Sequence, residues 1–261
     1  MRQFLAFFLL FLAASAQAGC SRVLRSAWAH WPPYAMANSL GQPIGLDIEL
    51  LQRVALEAGC QVQFSAGIPP QRQLSLVRSG AQDIQFAASV RPEREVFAWF
   101  SPAYRNETMS MMVRQASIKH VDVTDVAQLA ERDVAVIAPF SGWYGPHYAE
   151  VLPKLETSGR LRHYKNTEQG LELLNTQRGD VLIGDLYSFL YVAKQQKTPL
   201  PQTVGQPLND DVVHYMYSKK SMHPQDVSAL NDAIDRLKVN GELKKITDRY
   251  AGQTGGRGFL N

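Results

Sequence analysis

The chain has 261 residues, among them 27 Lys and Arg and 24 Asp and Glu, which leaves a formal net charge of +3. A balance this close to neutral implies no bulk polyanion as partner. The densest basic group, Lys244, Lys245 and Arg249, is interrupted by acids as on a solvated helix face, so the sequence predicts no nucleic-acid binding.

The N-terminus has the pattern of a secretory signal peptide over residues 1–18. Arg2 is followed by an apolar run, residues 4–14, and then by Ala16-Gln17-Ala18. The run is about half of the roughly 20 residues that a membrane-spanning helix needs. We therefore expect a mature chain that is exported to the periplasm. A lipid anchor on Cys20 is the alternative, but its usual signal has an aliphatic residue where Gln17 stands.

Strand and helix patterns alternate in the next part of the chain. Short β-branched or aromatic runs predict strands, and apolar residues at helical spacing predict helices between them. In chain order these are a strand over 23–28, a helix over 46–58, a strand over 62–64, a helix over 71–79 and a strand over 84–88. Such alternation predicts a parallel sheet with covering helices. We interpret Asp47 and Glu49 as charges that complement the dipole of the first helix, not as a catalytic pair.

The two cysteines, Cys20 and Cys60, each precede one of these predicted strands. If the two strands are parallel neighbours, their starts lie about 4.8 Å apart at the same end of the sheet. A disulfide requires alpha carbons about 5.5 Å apart, so we predict that the two cysteines are bridged. The loop of about 40 residues would contribute about 3–4 kcal/mol in the chain-entropy model. Two buried free thiols are the alternative.

A second alternating set follows residue 113, and the pattern then changes. Its elements are strands over 134–138, 161–164 and 181–184 and helices around 144–155, 168–177 and 186–194, followed by a lone strand over 212–217 and helices over 224–239 and 241–250. A chain that ends in helices after a lone strand is expected to have returned to its first domain. We predict one lobe from residues 19–110 and 208–261 and a second from 111–207. Crossings near 108–113 and 204–213 would join them.

Several segments carry a resemblance to a known family. They are Trp31-Pro32-Pro33-Tyr34; Gly45-Leu46-Asp47-Ile48-Glu49-Leu50; the stretch from Gly80 through Asp83 and Ser89-Val90-Arg91-Pro92-Glu93-Arg94 to Phe100-Ser101-Pro102-Ala103-Tyr104; Arg178-Gly179-Asp180-Val181 leading into Asp185; and Val239-Asn240-Gly241-Glu242-Leu243-Lys244-Lys245-Ile246. Because they occur in order over nearly the whole mature chain, it resembles the amino-acid-binding branch of the family 3 solute-binding proteins of ABC importers.

The resemblance implies an α/β, two-lobed periplasmic-binding-protein fold of type II. Each lobe would be a parallel-dominated sheet with flanking helices, and two crossing strands would form the hinge. The implied function is capture of a small amino-acid-like ligand by hinge closure and its delivery to an ABC permease in the inner membrane. It needs no cofactor or metal, and a monomer suffices. The identity of the ligand stays open.

The resemblance also implies the two charged ligand contacts. The family keeps its carboxylate-binding arginine at the position of Arg94, and a planar guanidinium suits that task because it bonds a carboxylate bidentately. The family's ammonium-binding aspartate matches Asp185, which follows an apolar run where open parallel sheets bind ligands. The alternatives are a surface arginine paired with Glu93 or Glu95, and an N-cap for the helix that follows Asp185.

Aromatic and hydroxyl side chains complete the implied site. The family places an aromatic in the turn that holds Trp31 and Tyr34, where a flat ring stacks on the solute. Ser89 and Ser141 would offer hydroxyl groups, and Trp143 would close the far wall. Packing between the lobes is the alternative to ligand contact for these residues.

The chain departs from the family's pattern near the site. Arg91 stands where the family usually has threonine, so it either adds a second guanidinium to the cleft, which would favour an acidic or phosphorylated solute, or points to water. Phe86 replaces a small polar residue of some relatives and suggests a more apolar floor. Pro139-Phe140-Ser141-Gly142-Trp143 replaces a loop rich in Gly, Thr and Ser. These departures leave open whether the solute is a standard amino acid.

Two other functions fit the same scaffold. Periplasmic dehydratases of prephenate and arogenate resemble this family and need an acid against the leaving hydroxyl, for which Asp185, Glu93 and Glu107 are candidates. A sensory subunit that presents its closed form to a membrane receptor or kinase would use the same closure. The six histidines have no metal-ligand spacing, and the sequence has neither a Gly-rich phosphate loop nor a nucleophile elbow, so we expect binding without catalysis.

Overall fold

The computed structural model describes residues 19–117 and 121–254. The predicted signal peptide, residues 1–18, lies outside the described residues. No helix in the described ranges is long and apolar enough to cross a membrane.

The first part of the chain follows the predicted alternation of strands and helices, with several short elements added. In chain order the elements are β1 (Leu24–Ala27), β2 (Met36–Ala37), β3 (Pro43–Ile44), α1 (Leu46–Glu57), β4 (Val62–Ser65), α2 (Pro70–Ser79), β5 (Ile84–Ala88), α3 (Pro92–Glu95) and β6 (Ala98–Phe100). The apolar face of α1 is buried as its spacing predicts, with Leu46, Leu50, Leu51, Val54 and Ala55 inside. The short elements β2, β3, α3 and β6 have too few residues to show a periodic pattern.

The second part begins and ends with long strands. Its elements are β7 (Arg105–Val113), a 3-10 turn (Gln115–Ser117), α4 (Gln128–Glu131), β8 (Val136–Pro139), α5 (Pro146–Thr157), β9 (Leu161–Tyr164), α6 (Thr167–Asn175), β10 (Val181–Asp185), α7 (Leu186–Gln196), β11 (Gln202–Ser218), α8 (Pro224–Val239) and α9 (Glu242–Thr254). The lone strand predicted over 212–217 is only the C-terminal part of β11, which is 17 residues long.

Nine of the described strands form a mixed sheet in the order β4-β1-β5-β11-β7-β10-β8-β9, with β6 paired to β11, and β2 and β3 form a separate two-stranded sheet. At one end β4, β1 and β5 are parallel, and at the other β10, β8 and β9 are parallel. Between them β7 and β11 run antiparallel to each other and to their outer neighbours. Two parallel groups of strands are therefore joined through one pair of long strands.

Each parallel group has its own core, and we name the two parts by their elements. The first lobe contains β1–β6, α1–α3, α8 and α9, and its core packs Leu51 and Val54 against Leu230 and Ile234. The second lobe contains β8–β10 and α4–α7. Strand β10 is buried on both faces, since Val181 and Ile183 pack with α5 while Leu182 packs with α6 and α7. The exact boundaries predicted at 110/111 and 207/208 stay a prediction.

The disulfide between Cys20 and Cys60 is present, with alpha carbons 4.8 Å apart. The two strands that follow the cysteines are placed as the prediction assumed, because β1 and β4 are parallel neighbours in which Leu24 lies opposite Val62. The bridge closes 40 residues that contain α1 and the turn before it. It therefore restrains, in the unfolded chain, the segment that later contributes one wall of the cleft.

Candidate functional site

A cleft with a volume of about 490 Å³ lies between the two lobes. Volumes of roughly 300–1,000 Å³ are usual for small-molecule sites. Seven of the nine predicted ligand contacts line it: Trp31, Phe86, Ser89, Arg94, Ser141, Trp143 and Asp185. Tyr34 and Arg91 are not among the lining residues. The predicted set thus converges on one cavity, with two exceptions that have identifiable causes.

The turn that carries Trp31 is held by the start of α1. The amides of Leu46 and Asp47 donate to the carbonyl oxygens of Pro33 and Tyr34, at 2.9 Å and 3.0 Å. Gly45 permits this approach, because its φ is +124° and a Cβ there would lie 2.5 Å from the Tyr34 carbonyl oxygen. The helix N-terminus therefore fixes the turn, and Trp31 faces the cleft from a rigid support.

Arg94 lies half-buried on the short helix α3, in the wall of the cleft. Its guanidinium donates to the carbonyl oxygen of Ser89 at 3.1 Å. Within the described ranges no carboxylate lies at ion-pair distance from it, although Glu93 and Glu95 are its sequence neighbours. Burial lowers the pKa of Arg94 from its usual value, and Glu93 offsets part of that effect. The cleft therefore contains a partly desolvated guanidinium that can still bind a carboxylate.

Asp185 ends β10 and caps α7. Its carboxylate accepts from the Ser188 amide at 2.7 Å and from the Tyr34 hydroxyl at 2.9 Å and 3.0 Å. Burial raises its pKa to about 6, opposed by the Ser188 amide, by Arg105 and by the Tyr34 hydroxyl. The capping role that the sequence offered as an alternative is therefore real. It coexists with a position in the wall of the cleft.

Tyr34 does not present a ring face to the cleft. It is 0% exposed, and its hydroxyl reaches across to Asp185 of the other lobe. The guanidinium carbon of Arg105 lies 4.2 Å from the centre of its ring. Protein atoms thus occupy the space over the Tyr34 ring where a solute would stack. Tyr34 affects the site by orienting Asp185 instead.

Arg91 adopts neither of the two placements that the sequence suggested. Its guanidinium carbon lies 3.5 Å from the ring centre of Trp143 in the other lobe, and its Nε lies 3.2 Å from the Glu93 carboxylate. A cation over an aromatic face is attracted by the ring quadrupole. Arg91 therefore spans the mouth of the cleft and does not add a second guanidinium to its lining.

The lobes are closed against each other around this cleft. The Ser188 hydroxyl donates to the Pro32 carbonyl oxygen at 2.5 Å, and His30 Nε2 lies 2.8 Å from Glu168 Oε1. Together with the pairs Tyr34–Asp185 and Arg91–Trp143, these contacts join the first lobe to the second. The geometry of the cleft is thus that of a shut form.

Sequence reasoning missed a buried ion pair beneath the cleft, Arg105 with Asp47. Both side chains are 0% exposed, and the two hydrogen bonds between them measure 2.7 Å and 2.8 Å. Asp47 does lie in the first turn of α1, as its interpretation as a dipole-complementing charge requires, but it has this second, buried partner as well. Glu49 lies at the surface instead, where it pairs with Arg249 at 2.7 Å. The sequence signal for Arg105 was a polar side chain at the start of the crossing strand β7. Its partner could not be identified in the same way, because Asp47 is 58 positions away.

Glu107, two residues further along β7, lines the cleft and is 6% exposed. Burial raises its pKa to about 8, opposed by Arg105 and assisted by Asp185, Asp47 and Asp211. Glu93, by contrast, is exposed outside the cleft and pairs with Arg91. Among the three acids considered for catalysis, Asp185 and Glu107 are therefore the two that line the cleft.

The arrangement can hold a small molecule by its charges and an aromatic wall. A cationic fork on one lobe, a carboxylate on the other and a carboxyl on the joining strand surround the same volume. In residues 19–117 and 121–254, no three His, Cys, Asp or Glu side chains are grouped as they would be to hold a metal ion.

Comparison with known proteins identifies a matching family and a relative of this chain. The family model for bacterial extracellular solute-binding proteins, family 3, matches residues 25–253. The probable amino-acid-binding protein YxeM of Bacillus subtilis (strain 168) is 22% identical over 222 residues, which are 84% of this chain and 79% of that protein.

Two solved structures illustrate the likeness of fold. The ancestral amino acid-binding protein AncCDT-1, a precursor of cyclohexadienyl dehydratase, has a TM-score of 0.72 at 20% identity, over 88% of this chain and 95% of that one. A histidine kinase sensor domain with similarity to periplasmic binding proteins has a TM-score of 0.73 at 17% identity, over 89% and 97% of the two chains. At such identities these structures show the fold, and the predicted two-lobed α/β architecture is confirmed.

Proposed function

Because this chain belongs to the bacterial extracellular solute-binding proteins of family 3, we propose that it binds a small amino-acid-like solute between its lobes and performs no chemistry on it. The observation that carries the proposal is the pairing of charges across one cleft. Arg94 in the first lobe lacks an ion-pair partner in the described part of the chain, and Asp185 in the second lobe lines the same cavity. A carboxylate and an ammonium on one molecule complement these two groups.

The proposed mechanism is closure of the lobes about the strand pair β7 and β11. A solute that contacts Arg94 and Asp185 together can do so only when the lobes approach, so it binds the shut form more tightly than the open form. Such differential affinity shifts the population toward closure. The contacts Ser188–Pro32 and Arg91–Trp143 would form in the same motion and add to the stability of the shut form.

Membership of the family supports a proposal for the partner and the compartment. A closed, loaded form delivered to an ABC permease, after export to the periplasm through residues 1–18, agrees with membership of an extracellular solute-binding family. Because a histidine kinase sensor domain has a similar fold, a signalling protein is the alternative recipient of the same closed form. In either case the protein acts as a monomer, and the partner recognises its closed form.

A thermal-shift screen tests the proposal. The panel contains the standard L-amino acids, opines, polyamines and small dicarboxylates, and we expect the largest stabilisation from a zwitterion. At 100 times its dissociation constant a ligand adds about 2.7 kcal/mol, which corresponds to a rise of about 5–10 °C in Tm for a chain of this size. Fatty acids that lack the ammonium group are the controls. Stabilisation by dicarboxylates alone would exclude the proposed class of solute.

A dehydratase is the second candidate, and the raised pKa of Glu107 favours it. A carboxyl with a pKa of about 8 is protonated at neutral pH and can act as a general acid. In this candidate reaction the proton passes to the leaving hydroxyl of prephenate, which departs as water while the ring carboxylate leaves as carbon dioxide. Under the binding proposal, incubation with prephenate yields no phenylpyruvate above the spontaneous rate. Enzyme-dependent phenylpyruvate that disappears in Glu107→Gln would establish the dehydratase instead.

A further inference from the structure

Glu107 is a cleft residue to which the proposed binding function assigns no contact. It lies on the joining strand β7, and its side chain is 7% exposed. The nearest cation in the described part of the chain is Arg105, whose Nη2 lies 3.9 Å from Glu107 Oε1, and no hydrogen bond to the Glu107 carboxyl forms there. A buried carboxyl without a close counter-charge is costly to ionise.

Arg105 is only a partial counter-charge for Glu107, because Asp47 already binds it. Two short bonds from Nε and Nη2 end on the two Asp47 oxygens, and Nη1 donates to the Asn106 carbonyl oxygen at 3.0 Å. The remaining distance of 3.9 Å to Glu107 is at the limit of an ion pair. Once ionised, Glu107 would therefore carry a charge that the protein itself leaves largely uncompensated.

The register of the sheet brings Glu107 close to Asp185. Strands β7 and β10 are antiparallel, and Asp185 lies opposite Met109. Glu107 is two residues from Met109 on the same face, which makes it the diagonal neighbour of Asp185. Diagonal neighbours have Cβ atoms roughly 7 Å apart, within reach of long side chains. An ammonium that bonds a carboxylate on each side at about 2.8 Å fits between them.

We propose that Glu107 is the principal contact for the cationic group of the solute, with Asp185 as the second contact. The inference rests on the proposed binding function and narrows it. The solute would present its carboxylate to Arg94 and its ammonium to the joining strand, so that zwitterions are selected over dicarboxylates of the same length.

The surroundings of Glu107 are negative apart from Arg105. The titratable and charged groups that act on it come from the same strand, α1, β10, β11, the turn before α1 and the loop before α5: Arg105, Asp47, Asp185, Asp211, Tyr34 and Tyr144. Three carboxylates face one guanidinium in this set. A cation entering the cleft therefore meets attraction from each acid, and it relieves their mutual repulsion.

Binding of a cation at Glu107 would release a proton. With a pKa of about 8, Glu107 is mostly protonated in the empty cleft at pH 7, and a bound ammonium lowers that pKa by favouring the carboxylate. Because the bound form has fewer protons, affinity increases with pH. The expected slope is about tenfold per pH unit between pH 6 and 8, with a plateau above. Asp185, with a pKa of about 6, adds to the slope only below that range.

Calorimetric titration of the mature chain tests whether Glu107 binds the cationic group and releases a proton. The probes are the standard L-amino acids and putrescine, and the proteins are the wild type, Glu107→Gln and the control Glu156→Gln, whose side chain is exposed on α5. For the amino acid that binds best we expect at least tenfold tighter binding to the wild type at pH 8.5 than at pH 6.5. Parallel titrations in phosphate and Tris at pH 7 should show release of about one proton.

Glu107→Gln separates a ligand contact from a structural role. We expect at least tenfold weaker binding at pH 8.5, little change at pH 6.5 and no proton release, while Glu156→Gln matches the wild type. Equal affinity of Glu107→Gln and wild type at pH 8.5, or wild-type binding that releases no proton, overturns this inference and leaves the proposed function standing. Failure of every amino acid and of putrescine to bind the wild type overturns both.

Discussion

Replacement of Arg94 by alanine is expected to weaken binding of the amino acid strongly while leaving the fold intact. The guanidinium has no ion pair within the described ranges, and its one hydrogen bond goes to a backbone carbonyl, so the folded chain loses little without it. A closed cleft that lacks Arg94 would hold the solute carboxylate desolvated and unpaired. Truncating one partner of a buried charge pair costs about 2–5 kcal/mol, roughly a 30- to 5,000-fold loss of affinity.

Two further variants make the Arg94 test specific. Arg162→Ala removes the same charge from an exposed position on β9 and should bind as the wild type does. Arg94→Lys keeps the charge but loses the planar fork, so an intermediate affinity is expected. Calorimetry with the amino acid selected by the thermal-shift screen measures all three. An affinity of Arg94→Ala equal to that of the wild type would contradict the assignment of the carboxylate contact.

Much of the fold was predictable because its elements carry strong local patterns. The strands at 84–88 and 161–164 and the helix at 224–239 coincide with β5, β9 and α8. Strand β5 and helix α8 each have a buried face that the sequence displays directly, whereas β9 is only partly buried. The N-terminal half of β11 has no such pattern, since residues 202–211 include a glycine, a proline and several polar residues. Its extended form depends on pairing with β7, which is a long-range interaction.

Most of the candidate site was predictable, because its residues stand within motifs that the sequence displays. Arg94 and Asp185 stand in such motifs and line the cleft. Tyr34 and Arg91 do not, because each has a partner in the other lobe that only the folded chain supplies: Asp185 and Trp143. Glu107 offered no motif. Glu107 stands out only in the structure, because it is buried and because the charge of the nearby Arg105 is already paired with Asp47.

Asp47→Ala is expected to produce a large loss of stability. The Asp47 carboxylate accepts from Arg105 Nε and Nη2 and from the Tyr104 hydroxyl, at 2.7 Å, 2.8 Å and 2.9 Å. Without it, a fully buried guanidinium loses its counter-charge. Breaking a buried pair in this way costs about 3–5 kcal/mol, a large part of the roughly 5–15 kcal/mol by which native domains are stable.

Urea denaturation followed by far-UV circular dichroism measures this effect, and the first turn of α1 supplies its own control. Glu49→Ala removes a carboxylate two residues away that pairs with Arg249 at the surface, and it should cost less than about 1 kcal/mol. The double variant Asp47→Leu with Arg105→Met should recover much of the lost stability, because apolar side chains of similar volume remove the uncompensated charge. If Asp47→Ala unfolds at the same urea concentration as Glu49→Ala, the buried pair does not stabilise the floor of the cleft, and Arg105 is held there by its aromatic neighbours Tyr34 and Tyr104 instead.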